Sequence, residues 1–156
     1  MANKPFMAWM TDIQQQVEGA LERLLPSDQH TPQKLHEAMR YVCLGGGKRV
    51  RPLLVFAAGE LVGASADNLA RIGAALEMVH VYSLVHDDMP CMDDDVLRRG
   101  KPTCHVAYDE ATALLAGDAL QTHAFDTLSA PLPGVAPAAQ LAMVHTLARA
   151  AGHAGM

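Results

Sequence analysis

An all-α fold is what this sequence predicts, on three observations. Half of the 156 residues are hydrophobic but only 4% are aromatic, and the dominant Ala, Leu, Val and Met suit packed helices better than sheets. Apolar residues recur at three- and four-residue spacings, the period of an amphipathic helix. No stretch gives a strong strand signal, and no internal repeat is present. The length fits one domain with an ordinary core, or part of something larger.

Taken in order, the first helix runs from Trp9 to Leu25, with Ile13, Val17, Ala20, Leu21, Leu24 and Leu25 at helical spacing. Thr11 or Asp12 is its expected cap, and Pro26 stops it. A second starts near Pro32 and ends at Gly45-Gly46-Gly47, burying Leu35, Ala38, Met39, Val42 and Cys43. A third begins around Arg51-Pro52, with proline in the first turn, and runs to Gly63. A fourth begins near Asp67 and carries Leu69, Ile72, Leu76, Val79 and Ser83 toward Asp87-Asp88. Another covers Asp109 to Leu128. Residues 130–137 hold Pro131, Pro133, Gly134 and Pro137 and read as a loop; a last helix spans Ala138 to Ala151 and ends at Gly152. Short links between helices predict a bundle.

The net charge of −5 offers nucleic acid no basic surface, so no nucleic-acid partner is expected. Cys43, Cys91 and Cys104 lack metal-ligand spacing and form an odd set, so reduced thiols of a cytoplasmic protein are expected. Lys4 is followed by Pro5 and mixed polarity, unlike a signal peptide. Glu77 and His80 interrupt the best candidate for a membrane span, so no span is expected.

Against this background stands the run His86-Asp87-Asp88-Met89-Pro90-Cys91-Met92-Asp93-Asp94-Asp95, followed by Arg98-Arg99. Carboxylates this dense repel one another unless divalent cations reverse the sign. Carboxylates holding Mg²⁺, with arginines close behind, make a site for a phosphate-rich ligand. A solvated acidic loop is the alternative, but the flanks are apolar and helical. A carboxylate four residues after Asp87 would share its helix face. That position is Cys91, and the next acid, Asp93, comes six residues on. Pro90 disfavours a helical Met89 and removes a backbone donor, which predicts a bulge that returns Asp93 to the side of Asp87. Asp87 and Asp93 are therefore the expected principal ligands. Asp88 is a further metal candidate, and Asp94 and Asp95 support the site or face solvent.

Four ordered motifs resemble those of the trans-isoprenyl diphosphate synthases. They are Gly45-Gly46-Gly47-Lys48-Arg49-Val50-Arg51-Pro52; Tyr82-Ser83-Leu84-Val85 with the acidic run, which is similar to the family's first aspartate-rich motif with two inserted residues; Arg98-Arg99-Gly100-Lys101-Pro102-Thr103; and Leu115-Ala116-Gly117-Asp118-Ala119-Leu120-Gln121. Agreement covers roughly residues 35 to 128. The resemblance implies an isoprenoid-synthase helical bundle with a deep cavity. It also implies Mg²⁺-dependent head-to-tail condensation of isopentenyl diphosphate with an allylic diphosphate, dimethylallyl or geranyl, in a homodimer. By the same resemblance Lys48, Arg51, His80 and Arg99 contact isopentenyl diphosphate, while Arg98 contacts the allylic diphosphate and acts in catalysis with Asp87 and Asp93. A hydrogen-bonded structural role remains the alternative for His80, and balancing the aspartates remains the alternative for both arginines.

Tyr82 and Ser83, five and four residues before Asp87, fall where the resemblance places the cavity floor. A bulky Tyr82 with the two-residue insertion is similar to the bacterial farnesyl pattern and implies a C15 product, with C20 the alternative. Asp118 supports metal-site residues, lines the cavity or faces solvent; Gln121 is a cavity candidate; His86 and His105 are read as structural. No second aspartate-rich motif follows Asp95. The tail Ala150-Ala151-Gly152-His153-Ala154-Gly155-Met156 is uncharged, so residues 1–156 are read as the N-terminal part of a single, truncated prenyltransferase domain. A non-catalytic diphosphate-binding subunit is the competing reading. A terpene cyclase fits less well, because the glycine-lysine-arginine and arginine-pair segments point to a second diphosphate.

Overall fold

The computed structural model describes residues 5–155; Lys4 and Met156, used above in reading the two ends, lie outside them. Seven helices follow in order among the described residues: α1 (Phe6–Leu24), α2 (Gln33–Cys43), α3 (Val50–Leu61), α4 (Ala66–Asp87), α5 (Cys104–Ala107), α6 (Glu110–Ser129) and α7 (Pro137–Ala150). The all-α expectation holds; the six helices read from the sequence appear with boundaries within a few residues, and the four-residue α5 is not among them.

Three local differences have physical causes. Helix α1 begins at Phe6, because Pro5 carries the fixed φ of a helix start and its carbonyl accepts from the N–H groups of Ala8 and Trp9. Thr11 therefore lies inside the helix rather than capping it, and its hydroxyl donates to the carbonyl of Met7 at 3.0 Å. Between α4 and α5 the chain forms a short antiparallel pair, β1 (Leu97–Arg98) with β2 (Lys101–Pro102), which period alone could not reveal in two-residue strands. Its turn places Arg99 (φ 54°) and Gly100 (φ 78°) in the left-handed region.

The third difference concerns α4, the central helix, which packs against α1, α3 and α6. Of its expected stripe only Leu69 is fully buried; Ile72, Leu76, Val79 and Ser83 are half-buried. The sealed positions are Gly73, Ala74, Ala75, Met78, Val81, Tyr82 and Val85. Contact from several sides spreads burial around a helix, so a single apolar stripe cannot identify it. Small residues on α6, Ala113, Ala116, Gly117 and Ala124, allow close approach. A Cβ at Gly117 would stand 2.1 Å from Nε2 of His86.

Caps and a buried amide fix the helix ends. Ser65 accepts from the N–H of Asn68 at the start of α4, and Asp109 accepts from that of Thr112 at the start of α6. The side chain of Gln140 on α7 donates to the carbonyls of Leu128 and Ala130 and accepts from the N–H of Leu132, so one amide fastens the 130–137 loop between α6 and α7. Among the described residues no helix is long and apolar enough to cross a membrane.

Candidate active site

The acidic run starts as α4 ends. Asp87 closes the helix, and the amide of Asp88 still donates to the carbonyl of Leu84. Pro90, with no N–H, then breaks the ladder. Met92 and Asp94 donate to the carbonyl of Met89, and the N–H of Asp93 donates to the carbonyl of Asp87 at 2.8 Å. This turn brings the backbone of Asp93 beside that of Asp87 across the six-residue gap. Asp94 adopts a left-handed φ of 54°.

The neighbouring carboxylates differ. Asp88 is 3% exposed and accepts from Nε of Arg98 at 2.9 and 2.8 Å and from its Nη2 at 2.6 Å. These bonds raise the pKa of Arg98 above its ordinary value, and burial opposes the rise. Nη1 of Arg98 takes part in none of these bonds. Asp87 is half-buried and Asp93 exposed, and among the described residues neither forms an ion pair. Nor do three metal-binding side chains converge anywhere among those residues. Two carboxylates on one turn still fit Mg²⁺, which keeps several waters and takes further oxygens from substrate phosphates.

A second group of predicted residues lies toward the other end of the same helix face. His80 precedes Asp87 by seven residues on α4, two turns or about 10 Å along the axis. It shares a cleft of about 430 Å³ with Gly47, Lys48, Arg51, Glu77 and Arg99. Lys48 and Arg51 come from the loop before α3 and its first turn, and Arg99 from the β1–β2 turn. Nη1 of Arg99 donates to the carbonyl of Gly46 at 3.1 Å. Desolvation, with Arg51 next, lowers the pKa of His80, and Glu77 opposes the shift. Arg49, paired with carboxylates, also lines the cleft, which presents Lys48, Arg51 and Arg99 beside an imidazole held toward its neutral form.

Tyr82 and Ser83 border a neighbouring cleft of about 350 Å³ with Leu76, Val79, Leu147 and Ala150. Tyr82 is 7% exposed and meets the ring of His86 edge-on at 5.8 Å. Ser83 donates to the carbonyl of His80 at 2.8 Å. His86 Nε2 lies 3.1 Å from the carbonyl of Leu114 on α6, and His105 Nδ1 lies 3.2 Å from the nearby Thr103 hydroxyl, contacts that suit structural roles. Asp118 is exposed, 3.9 Å from His86; Gln121 is half-buried.

Sequence reading missed Glu18 and Glu77 and assigned Arg49 no separate role. The structure buries Arg49 between those carboxylates, 2.6 Å from Glu18 and 2.9 Å from Glu77. A signal for one of them was present: Glu77 interrupts the apolar run of α4, and a buried acid requires a partner.

Fold and site together define an all-α protein with a carboxylate turn and a cation-lined cleft at two levels of one central helix, an arrangement suited to polyanions. Residues 32–154 match the Polyprenyl synthetase family model. The chain belongs to that family. It is 48% identical over 155 residues to farnesyl diphosphate synthase of Haemophilus influenzae, covering 96% of this chain and 52% of that protein. It is 45% identical over 151 residues to the chloroplastic geranylgeranyl pyrophosphate synthase of Capsicum annuum, covering 97% of this chain and 40% of that protein. The crystal structure of an FPP/GFPP synthase from Zymomonas mobilis superposes with a TM-score of 0.92 at 47% identity, covering 96% of this chain and 54% of that one. The chain thus spans about half the length of the relatives it matches.

Proposed function

We propose that this chain carries the substrate-binding part of a Mg²⁺-dependent short-chain prenyltransferase that condenses isopentenyl diphosphate head-to-tail with dimethylallyl or geranyl diphosphate. The observation that carries the reading is the gathering of Lys48, Arg51, His80 and Arg99 around one cleft, two helical turns from Asp87. Three chain segments supply those four side chains, and their shared chemistry is recognition of phosphate oxygens.

In this reading Asp87 and Asp93 would hold Mg²⁺ beside the allylic diphosphate. Such a cation, when bound, would supply charge neutralisation for the departing diphosphate. Arg98, steadied by Asp88, turns its remaining nitrogen toward the same group. Lys48, Arg51, His80 and Arg99 hold isopentenyl diphosphate so that its double bond attacks the allylic carbocation left when the carbon–oxygen bond breaks. A proton then leaves the new chain to the released pyrophosphate. Apolar walls exclude water, which would otherwise capture the carbocation. Tyr82, sealed one turn below Asp87, limits the product to C15. The catalytic unit is a single all-α cytoplasmic domain, of which residues 1–156 are the N-terminal part, and it works as a homodimer.

The test is incubation of the purified chain with Mg²⁺, geranyl diphosphate and labelled isopentenyl diphosphate, with the product resolved by length. A C15 product supports the full reading. A C20 product keeps the chemistry and removes Tyr82 as the floor. Absence of product, with isopentenyl diphosphate still bound at the cleft, supports a binding subunit; an extended chain that regained turnover would restore the enzyme reading. On an active chain Tyr82→Ala is expected to lengthen the product by one five-carbon unit, and unchanged length would count against the floor.

A further inference from the structure

Arg49 follows exposed Lys48 in a loop that faces the cation cleft, yet it is 3% exposed. Its backbone is left-handed, φ 49° and ψ 40°, after Gly45, Gly46 and Gly47 at φ 95°, 96° and 132°. A non-glycine residue held in that region is strained and persists only where its surroundings over-determine it. Here they do. Arg49 donates to Oε1 of Glu77 at 2.9 Å, to Oε2 of Glu18 at 2.6 Å and to the carbonyl of Cys43 at 2.7 Å, at the negative end of α2. The other Glu18 oxygen accepts from the N–H of Gly45 at 2.9 Å, and Gln14 donates to the carbonyl of Lys48 at 3.0 Å. Helices α1 and α4 thus grip the loop along its length. On α4 the grip comes from Glu77, one turn before His80.

A buried ion pair is poor evidence for stability, since apolar residues of similar volume often serve as well. A strained backbone locked by one cation and two carboxylates, beside a site, is better accounted for by placement. We propose that Arg49, held by Glu18 and Glu77, is a positioning residue. It fixes the glycine loop so that Lys48 and Arg51 face His80 across the cleft, and so sets affinity for the diphosphate bound there but not for the one at Asp87 and Asp93. The inference rests on the functional reading above, in which that cleft takes isopentenyl diphosphate.

Two variants of the full chain test it. Glu18→Gln keeps an oxygen for the Gly45 amide but loses the charge facing Arg49. Arg49→Lys keeps the charge and loses the fork. Amide hydrogen exchange at residues 44–49, measured without ligand, reads the loop directly. Calorimetry reads isopentenyl diphosphate affinity and, separately, geranyl diphosphate affinity with Mg²⁺. Both variants are expected to speed exchange at 44–49 about tenfold while α6 keeps its protection, and to weaken isopentenyl diphosphate about tenfold while geranyl diphosphate changes less than about twofold. Unchanged loop exchange, or equal weakening of both ligands, overturns the proposal. If the unmodified chain binds no isopentenyl diphosphate while the variants still loosen the loop, the role of Arg49 in fixing the loop stands and the assignment of the cleft falls.

Discussion

Adjacent carboxylates in the acidic run live under different conditions. Asp88 is sealed and spends both oxygens on Arg98, whereas Asp93 is exposed on the returning turn. Asp93→Asn preserves shape and removes one anionic oxygen ligand. Its Mg²⁺-dependent affinity for geranyl diphosphate is expected to fall on the order of a hundredfold, with Mg²⁺-free binding unchanged; calorimetry with and without the metal separates the two. His80 carries a pH dependence of determinate sign. Burial, then Arg51, depress its folded pKa below the ordinary 6.5, so the unfolded chain binds the extra proton first. Its contribution to stability is complete above pH 6.5 and is lost as pH falls through the depressed folded value. His80→Gln should therefore flatten the acid side of a plot of melting temperature against pH; an unaltered plot would remove His80 as the source. If the cleft takes a diphosphate as proposed, binding works oppositely: an anion there favours imidazolium, so affinity measured by calorimetry is expected to rise as pH falls from 7 toward 6.

Among the elements, α7 packs Val144 and Leu147 against the core and is fastened at its start by one side chain. Gln140 is buried and serves one donor and two acceptors of the 128–132 segment. Gln140→Ala leaves those backbone groups unpaired, an expected cost of about 2–3 kcal/mol. Denaturant unfolding checks it, with the midpoint lowered and the slope unchanged. A cost near zero would show that water replaces the amide. The β1–β2 pair shows a different mode of attachment. Tyr41 donates to the carbonyl of Pro102 at 2.8 Å, Arg98 locks to Asp88, and Arg99 reaches the carbonyl of Gly46. Two strands of two residues each have no independent stability, so neighbouring helices hold the turn that carries Arg99 into the cleft.

On the scale of the molecule, the bundle has apolar surface left over. Leu54, Leu61 and Val62 of α3 and the residue after it are exposed, as are Leu114 and Leu115 on α6 and Leu141 on α7. Leu61 is 88% exposed, and repeated large apolar groups on a surface favour association. Light scattering of the purified chain should give a mass above the monomer that grows with concentration, and the double change Leu54→Lys, Leu61→Lys should reduce it. A monomer at every concentration would show that this surface is tolerated in water.

Six of the seven helices among the described residues, and the chemical vocabulary of the site, are legible in the residues alone. Pro26, the three glycines after α2 and the 130–137 loop mark boundaries because they act on backbone dihedrals, which are local. Pro90 announced the turn of the acidic run for the same reason, and the four ordered motifs carry the resemblance to the isoprenyl diphosphate synthases in the residues alone. Which charges meet is settled by packing. Nothing in the spacing separates exposed Lys48 from buried Arg49, or Asp87 from Asp88, since both members of each pair are charged neighbours. Arg49 finds Glu77 across 28 residues and Glu18 across 31, and Arg99 reaches Gly46 across 53. Such pairings depend on which groups lose water together when helices pack, a property of the assembled bundle that no local run of residues contains.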